Sequence, residues 1–317
     1  MAIIKLSPAF KDYLWGGTRL RDDFQKDCDF EKIAESWELS CHKDGNSMVA
    51  TGEDKGLTLQ QYIDKHGSAV LGSDCAGFDR FPILIKLIDA KDNLSVQVHP
   101  DNEYGLRVEG EYGKTEMWYV VDCDEGAELL YGFKHEISKE EFAERIKNNT
   151  LLEVTNNVPV HKGDVFFIKS GTLHAIGKGI LIAEIQQNSN TTYRIYDYGR
   201  VGKDGKPREL HVEKALDVTK LAPAENYPVS PTEQHEGYTS RLMASCEYFT
   251  TYVLDIESSA ELTADDKSFN SLLILEGEGT VTGSDTVEFR KGDSIFITAG
   301  TGSYTVSGSC KAVLSKV

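Results

Sequence analysis

His161-Lys162-Gly163-Asp164-Val165-Phe166-Phe167-Ile168-Lys169-Ser170-Gly171-Thr172-Leu173-His174 lies without a gap on Arg290-Lys291-Gly292-Asp293-Ser294-Ile295-Phe296-Ile297-Thr298-Ala299-Gly300-Thr301-Gly302-Ser303. Lys-Gly-Asp, Phe-Ile and Gly-Thr coincide. Each copy reads as a tight Gly-Asp turn, a buried strand and a second turn. Gly-Asp turns before apolar strands also recur by chance, but an ungapped agreement of this length argues for two related β-units. The copies differ where chemistry can sit: His174 in the first becomes Ser303 in the second. Only the first keeps a metal-ligating side chain at that place.

Outward from the repeat, short strand patterns dominate, among them Met117–Val121, Asp164–Ile168 and Ile180–Ala183. Punctuation by Gly and Asp at this spacing suggests a β-barrel or sandwich. Helical signals are few. Thr58 to His66, closed by Gly67, reads as a short capped helix. Ser138 to Ile146 opens with a capping box, Ser138 facing Glu141. A third helix is expected from about Glu209 through Asp217. The stretch Leu221 to Pro231 holds three of the eight prolines and reads as a linker. It divides the chain into an expected catalytic unit, 1–222, and a second, degenerate unit, 232–317. A length of 317 residues fits two such units.

Composition narrows the function. A formal net charge of −17 argues against nucleic acid, whose binding depends on Lys and Arg neutralising phosphates. An anionic small molecule would need cations gathered locally against that field. The longest apolar runs, such as Pro82–Ile85 and Leu272–Leu275, are far shorter than the roughly 20 residues a membrane helix needs. No signal peptide is visible, so a cytoplasmic location is expected. Six scattered cysteines with no C-x-x-C pair read as free thiols.

Chemistry concentrates in four segments. In Leu94-Ser95-Val96-Gln97-Val98-His99-Pro100, strand alternation puts Ser95, Gln97 and His99 on one face and Leu94, Val96 and Val98 on an apolar outer face. Pro100 ends the strand. Lys114 and Glu116 again share a face, which suits an exposed ion pair or a metal ligand beside a cation. His174 ends a Ser-Gly-Thr turn. Two nitrogens and two oxygens from Gln97, His99, Glu116 and His174, with no thiolate, suit a catalytic zinc or a similar divalent ion. Arg194, in Tyr193-Arg194-Ile195-Tyr196, offers a guanidinium matched to phosphate, although a surface ion pair fits the same spacing.

Phe81–Lys86, Leu94–Asp101, Lys114–Tyr119, Gly171–Ala175 and Tyr193-Arg194 together resemble the class I mannose-6-phosphate isomerases in their shorter bacterial form. The resemblance runs from Tyr13-Leu14-Trp15-Gly16-Gly17 to the degenerate second unit. It implies a mainly β fold of two cupin-like jelly-roll barrels with a few short helices. It implies Gln97, His99, Glu116 and His174 as ligands of one zinc, and Arg194 and Lys114 as catalytic residues. Lys86, Ser95 and Glu184 would line the pocket of a sugar phosphate. The implied reaction is interconversion of mannose 6-phosphate and fructose 6-phosphate through an enediol. Two positions depart from the family: Ser189-Asn190-Thr191-Thr192 replaces an S-D-N stretch, which removes a carboxylate, and Thr115 stands where proline is frequent. The rival readings are a non-catalytic sugar-binding cupin module and another metal-dependent cupin enzyme, an oxygenase or a glucose-6-phosphate isomerase.

Overall fold

The computed structural model describes residues 2–202 and 205–317. Both copies of the repeat fold alike: strands Val165–Ile168 and Ser294–Ile297 follow the two Lys-Gly-Asp turns. In each turn the aspartate side chain closes the corner. His161 N donates to Asp164 Oδ2 and Arg290 N to Asp293 Oδ2, both at 2.8 Å. Gly163 and Gly292 both sit at φ 92°, a left-handed conformation that L side chains rarely adopt, so glycine belongs at each corner. The copies diverge after the second turn. His174 opens the short strand His174–Ala175, while Ser303 enters the long strand Gly302–Lys316.

The first copy belongs to two facing antiparallel sheets, the jelly-roll arrangement. One sheet has the order Val165–Ile168, Glu116–Cys123, Ile180–Gln187, Ile83–Ala90, Glu35–Leu39, Ala9–Lys11. The other has the order Thr155–Pro159, Glu128–Phe133, His174–Ala175, Val96–Val98, Tyr193–Tyr196. Alternation gives the first sheet two apolar faces. Ile88, Trp118, Val120, Ile180 and Ile182 turn into the space between the sheets and pack with Leu94, Leu129 and Ile176. Ile85, Leu87, Met117, Tyr119, Ala183 and Ile185 turn the other way, onto Met243, Phe249, Phe269, Leu273, Phe296 and Val313 of the C-terminal unit. Burial on both faces is why these strands read as unbroken apolar runs.

In the C-terminal unit the long strands Asn270–Thr282 and Gly302–Lys316 pair with each other, and further strands attach on either side. A register shift between Ile274 and Glu276 bends the pair. The N-terminus completes this sheet: Ile3–Ser7 pairs with Ser294–Ile297, and Met48–Val49 with Ile3–Ser7. Lys5 Nζ lies 2.8 Å from Asp293 Oδ2, so the second Lys-Gly-Asp turn also anchors that strand. The fold is mainly β, with five short α-helices among the described residues.

The helices follow their caps. Leu59–His66 has a reciprocal box, with Gln61 N donating to Thr58 Oγ1 at 3.1 Å and Thr58 N to Gln61 Oε1 at 2.9 Å. Lys139–Lys147 is capped by Ser138, whose hydroxyl accepts from Glu141 N. The third expected helix is Val212–Val218, starting later than Glu209. Asn102–Val108, capped by Asp101, and the single turn Arg19–Asp22 are too short to show periodicity.

Val96 and Val98 lie on the outer, apolar face of the five-stranded sheet as expected, and both are fully buried there, against Phe133, Phe142, Leu173 and Ala215. The helices Lys139–Lys147 and Val212–Val218 cover that face of the five-stranded sheet. Leu94 does not share it, because the strand begins at Val96 and Leu94 joins the core between the sheets. The proline-rich segment packs on the first unit. Tyr227 lies on Phe167 with ring centroids 4.6 Å apart, and Pro223 bridges to Gly132. All six cysteines are free. Among the described residues no helix is long and apolar enough to cross a membrane.

Candidate active site

The open end of the space between the sheets is polar. On strand Ile83–Ala90, Lys86 precedes Ile88 on the inward face; on Ile180–Gln187, Glu184 follows Ile182; on Glu116–Cys123, Glu116 precedes Trp118. Each strand therefore carries apolar side chains at one level and a charged one at the next. The opposing sheet supplies Gln97 and His174, paired directly across the ladder, with Arg194 opposite Gln97 on the next strand.

Three side chains converge. Ligating atoms of His99, Glu116 and His174, all buried, lie within 4.8 Å of one another. His99 Nε2 is 3.1 Å from His174 Nε2, and the Glu116 oxygens are 3.8 and 3.5 Å from those two nitrogens. The other nitrogen of each ring faces a backbone carbonyl: His99 Nδ1 donates to Thr191 O and His174 Nδ1 to Thr172 O, each at 2.9 Å. A proton held on Nδ1 leaves a lone pair on each Nε2, aimed at the other. Burial lowers His174 to about 4, and burial followed by the charge of Lys114 holds His99 well below its ordinary value. Two neutral imidazoles with facing lone pairs, beside a carboxylate, fit a cation seated between them. Neither Glu116 oxygen accepts an aligned hydrogen bond, although Lys114 Nζ stands 2.9 Å from Oε2. Gln97 reaches the group with its amide nitrogen, 3.4 Å from His174 Nε2. Rotating that amide by half a turn presents its oxygen instead.

A row of alternating charge runs back from this cluster. Lys114 Nζ is 3.3 Å from His99 Nε2 and 3.8 Å from Glu184 Oε1. Glu184 Oε1 is 3.2 Å from Lys86 Nζ, and Lys86 is 3.7 Å from Glu35 Oε2. Indole N–H groups secure two of its carboxylates: Trp118 Nε1 donates to Glu184 Oε2 at 2.9 Å, Trp37 Nε1 to Glu35 Oε2 at 2.7 Å. Burial opposes the charges of Glu116, Glu184 and Lys86. It raises Glu116, aided by the Glu184 charge, whereas on Glu184 the lysines Lys114 and Lys86 overcome burial and lower the carboxyl. The carboxylates likewise overcome burial on Lys86 and raise it.

The row lines a cavity of about 260 Å³ whose wall includes Lys86, Ser95, Gln97, Lys114, Glu184 and Arg194. Arg194 Nε donates to Ser95 Oγ at 3.3 Å and its Nη1 to Glu209 O at 3.0 Å. The sequence-derived residues thus meet in one place. The same wall contains Tyr13, Trp15, Glu35 and Arg208, none of them singled out from sequence. Tyr13 and Trp15 belong to the Tyr13–Gly17 stretch already noted. Glu35 had a signal in the Glu35/Trp37/Leu39 alternation. Arg208 sits in irregular chain and had none.

Residues 3–129 match the family described as "Phosphomannose isomerase type I, catalytic domain", and residues 239–317 match "Mannose-6-phosphate isomerase, cupin domain". The mannose-6-phosphate isomerase ManA of Bacillus subtilis is 39% identical over 97% of this chain and 96% of its own length. The chain belongs to the type I phosphomannose isomerases. A second relative, the mannose-6-phosphate isomerase of Streptococcus mutans, is 39% identical over 95% of this chain and 94% of its own. The crystal structure of the Bacillus subtilis mannose 6-phosphate isomerase superposes with a TM-score of 0.94 at 38% identity, covering 100% of both chains. The C-terminal unit, which matches that cupin domain, carries Ser303 where the first unit has His174.

Proposed function

We propose that this protein interconverts mannose 6-phosphate and fructose 6-phosphate by moving a proton between C1 and C2 through an enediol. The observation that carries the reading is the convergence of His99, Glu116 and His174 beside Lys114 at a cationic cavity in an otherwise acidic chain. In this reading Gln97, His99, Glu116 and His174 hold one zinc ion, the nitrogen and oxygen set that a catalytic zinc accepts. Zinc in that seat supplies Lewis-acid polarisation of the sugar's carbonyl oxygen. Thr191 O and Thr172 O fix the tautomers that keep both Nε2 atoms free as ligands. Lys114 is the proton carrier, since its amine reaches both His99 and Glu116 and lines the cavity. Arg194 faces the anionic end of the substrate, held in place by Ser95 and the Glu209 carbonyl. Glu184 and Lys86 fix the cavity's far wall and the position of Lys114. The Asn190 position offers no carboxylate, so Lys114 has no acidic rival there. Residues 1–222 form the catalytic unit and 232–317 the supporting one, working on a free sugar phosphate in the cytoplasm.

The test is to incubate the protein with mannose 6-phosphate in heavy water and follow the sugars by NMR. Fructose 6-phosphate should appear, with solvent deuterium at the transferred position whenever the carried proton exchanges. A folded, zinc-loaded protein that yields no fructose 6-phosphate, while converting glucose 6-phosphate or nothing at all, would overturn the assignment.

A further inference from the structure

The Thr191 carbonyl that accepts from His99 Nδ1 belongs to a turn, Asn188 to Thr192, joining strand Ile180–Gln187 to strand Tyr193–Tyr196. Such a turn lies outside the ladder, so its polar groups need partners of another kind. From within, Gln186 Nε2 donates to Gln187 O at 2.7 Å and to Ser189 O at 2.6 Å, and Ser189 Oγ accepts from Thr191 N at 3.2 Å. From outside, one carboxylate closes it. Glu111 Oε2 accepts from Asn190 N at 3.3 Å and from Thr191 Oγ1 at 3.4 Å. Thr191 is therefore gripped by Glu111 at its side chain and by His99 at its carbonyl.

Glu111 is itself held in place. Lys43 Nζ lies 2.6 Å from its Oε1, and His42 Nε2 lies 3.5 Å from its Oε2. Asp44 N donates to His42 Nδ1 at 3.1 Å, which puts the ring proton on Nε2, toward Glu111. Burial holds His42 below its ordinary value, so the ring is neutral. Burial raises the Glu111 carboxyl, but Lys43 and the Asn190 N–H overcome it and keep the group an anion. The hairpin of strands Cys41–His42 and Gly45–Asn46 has a second hold on the turn, since Asn190 Nδ2 donates to Asp44 Oδ2 at 2.9 Å. Glu111 stands three residues before Lys114, and its N donates to Gly105 O of helix Asn102–Val108 at 3.4 Å. Three stretches distant in sequence thus meet at one carboxylate, outside both the cavity wall and the ligand cluster.

We propose that Glu111 is a positioning residue: by clamping Asn190 and Thr191 it holds the Thr191 carbonyl on His99 Nδ1, and so keeps His99 Nε2 unprotonated and aimed at the metal seat. The bond made by one imidazole nitrogen decides what the other can do, and the groups that fix this bond govern metal affinity. The inference rests on the zinc reading above and extends it one residue outward. Glu111 acts through Thr191 and touches neither metal nor sugar, so its contribution belongs to the affinity of the seat and not to the chemical step.

The experiment reads zinc affinity by competition with a chromophoric chelator, the His99 tautomer by nitrogen NMR of the metal-free protein, and turnover of mannose 6-phosphate. The His99 ring signal is the one missing from His99→Gln. Glu111→Ala should raise the zinc Kd by about 10–100-fold, the usual cost of losing a group that orients a ligand. Its His99 ring should lose the single Nδ1-protonated form seen in the wild type. Turnover should fall at one equivalent of zinc and recover in excess zinc, with KM unchanged. Glu111→Gln still offers an oxygen to one of the two donors, so its loss should be smaller; if Glu111→Ala fails to fold, Glu111→Gln carries the test. Unchanged zinc affinity in a folded variant would overturn the proposal, as would a loss of turnover that excess zinc leaves in place. Affinity and tautomer are read without turnover. A protein that shows both effects yet isomerises nothing would therefore refute the isomerase reading while sparing the role of Glu111.

Discussion

Glu184→Gln removes one negative charge from the buried row Glu35, Lys86, Glu184, Lys114, Glu116 and leaves the shape nearly unchanged. Glu184 Oε1 lies 3.2 Å from Lys86 Nζ and 3.8 Å from Lys114 Nζ. At an effective dielectric of about 20, each contact carries about 4–5 kcal/mol of attraction before desolvation is counted. Most of that is offset by the cost of burying the charges. The net loss on removing one partner from such a buried set is about 3–5 kcal/mol, because the remaining charges stay buried and under-compensated. The amide oxygen can still accept from Trp118 Nε1, so that hydrogen bond does not add to the loss. The pH dependence has a definite sign. The folded-state pKa of Lys86 is raised above the ordinary 10.5, with Glu35 and Glu184 overcoming burial. A raised lysine pKa gives stability that is complete below the unfolded-state value and lost as pH rises through the folded one. Glu184→Gln removes part of that contribution, so the deficit is full at pH 7 and narrows above about pH 10. Urea unfolding followed by tryptophan fluorescence, in chelator to remove any metal contribution, measures it at both pH values. A deficit below about 1 kcal/mol at pH 7, or one that widens with pH, would refute the charge row.

Three further outcomes are expected. His174→Ala should abolish tight zinc binding, read by competition with a chromophoric chelator, and turnover with it; full activity in this variant would end the site proposal. Lys114→Met should lower kcat by about 10²–10⁴-fold, the usual range for a lost proton carrier, with zinc still bound stoichiometrically by elemental analysis. Gly292→Ala forces a side chain onto a φ of 92° and to within 2.7 Å of Phe24 O. It should cost about 1–3 kcal/mol in denaturant unfolding, and a neutral result would mean that the turn relaxes freely.

The legible part of this protein was what repeats locally. The two Lys-Gly-Asp turns carry their own glycine and aspartate chemistry, so they could be read as paired strand entries without knowing the partner strands. Alternation at Gln97/His99 and at Lys114/Glu116 placed those pairs on common faces, and the structure shows each pair together. What stayed hidden is long-range. Nothing near Ile3–Ser7 says that it completes a sheet made by residues some 290 positions later. Val96 and Val98 were legible as an outer apolar face, but the helices that cover them lie in separate stretches, around Phe142 and Ala215. Leu94 misled the alternation because the strand starts two residues after it. Arg208 left no pattern at all: it reaches the cavity wall through its bonds to Asp197 and the ties of Glu209 and His211 to Arg194, neither of which has a period.

The most direct test is a coupled assay of mannose 6-phosphate conversion on purified protein, before chelation, after chelation, and after zinc is restored. The account predicts turnover that disappears with the chelator and returns with one equivalent of zinc per chain. Turnover that survives complete metal removal, or a zinc-restored, folded protein that stays inactive, would contradict it.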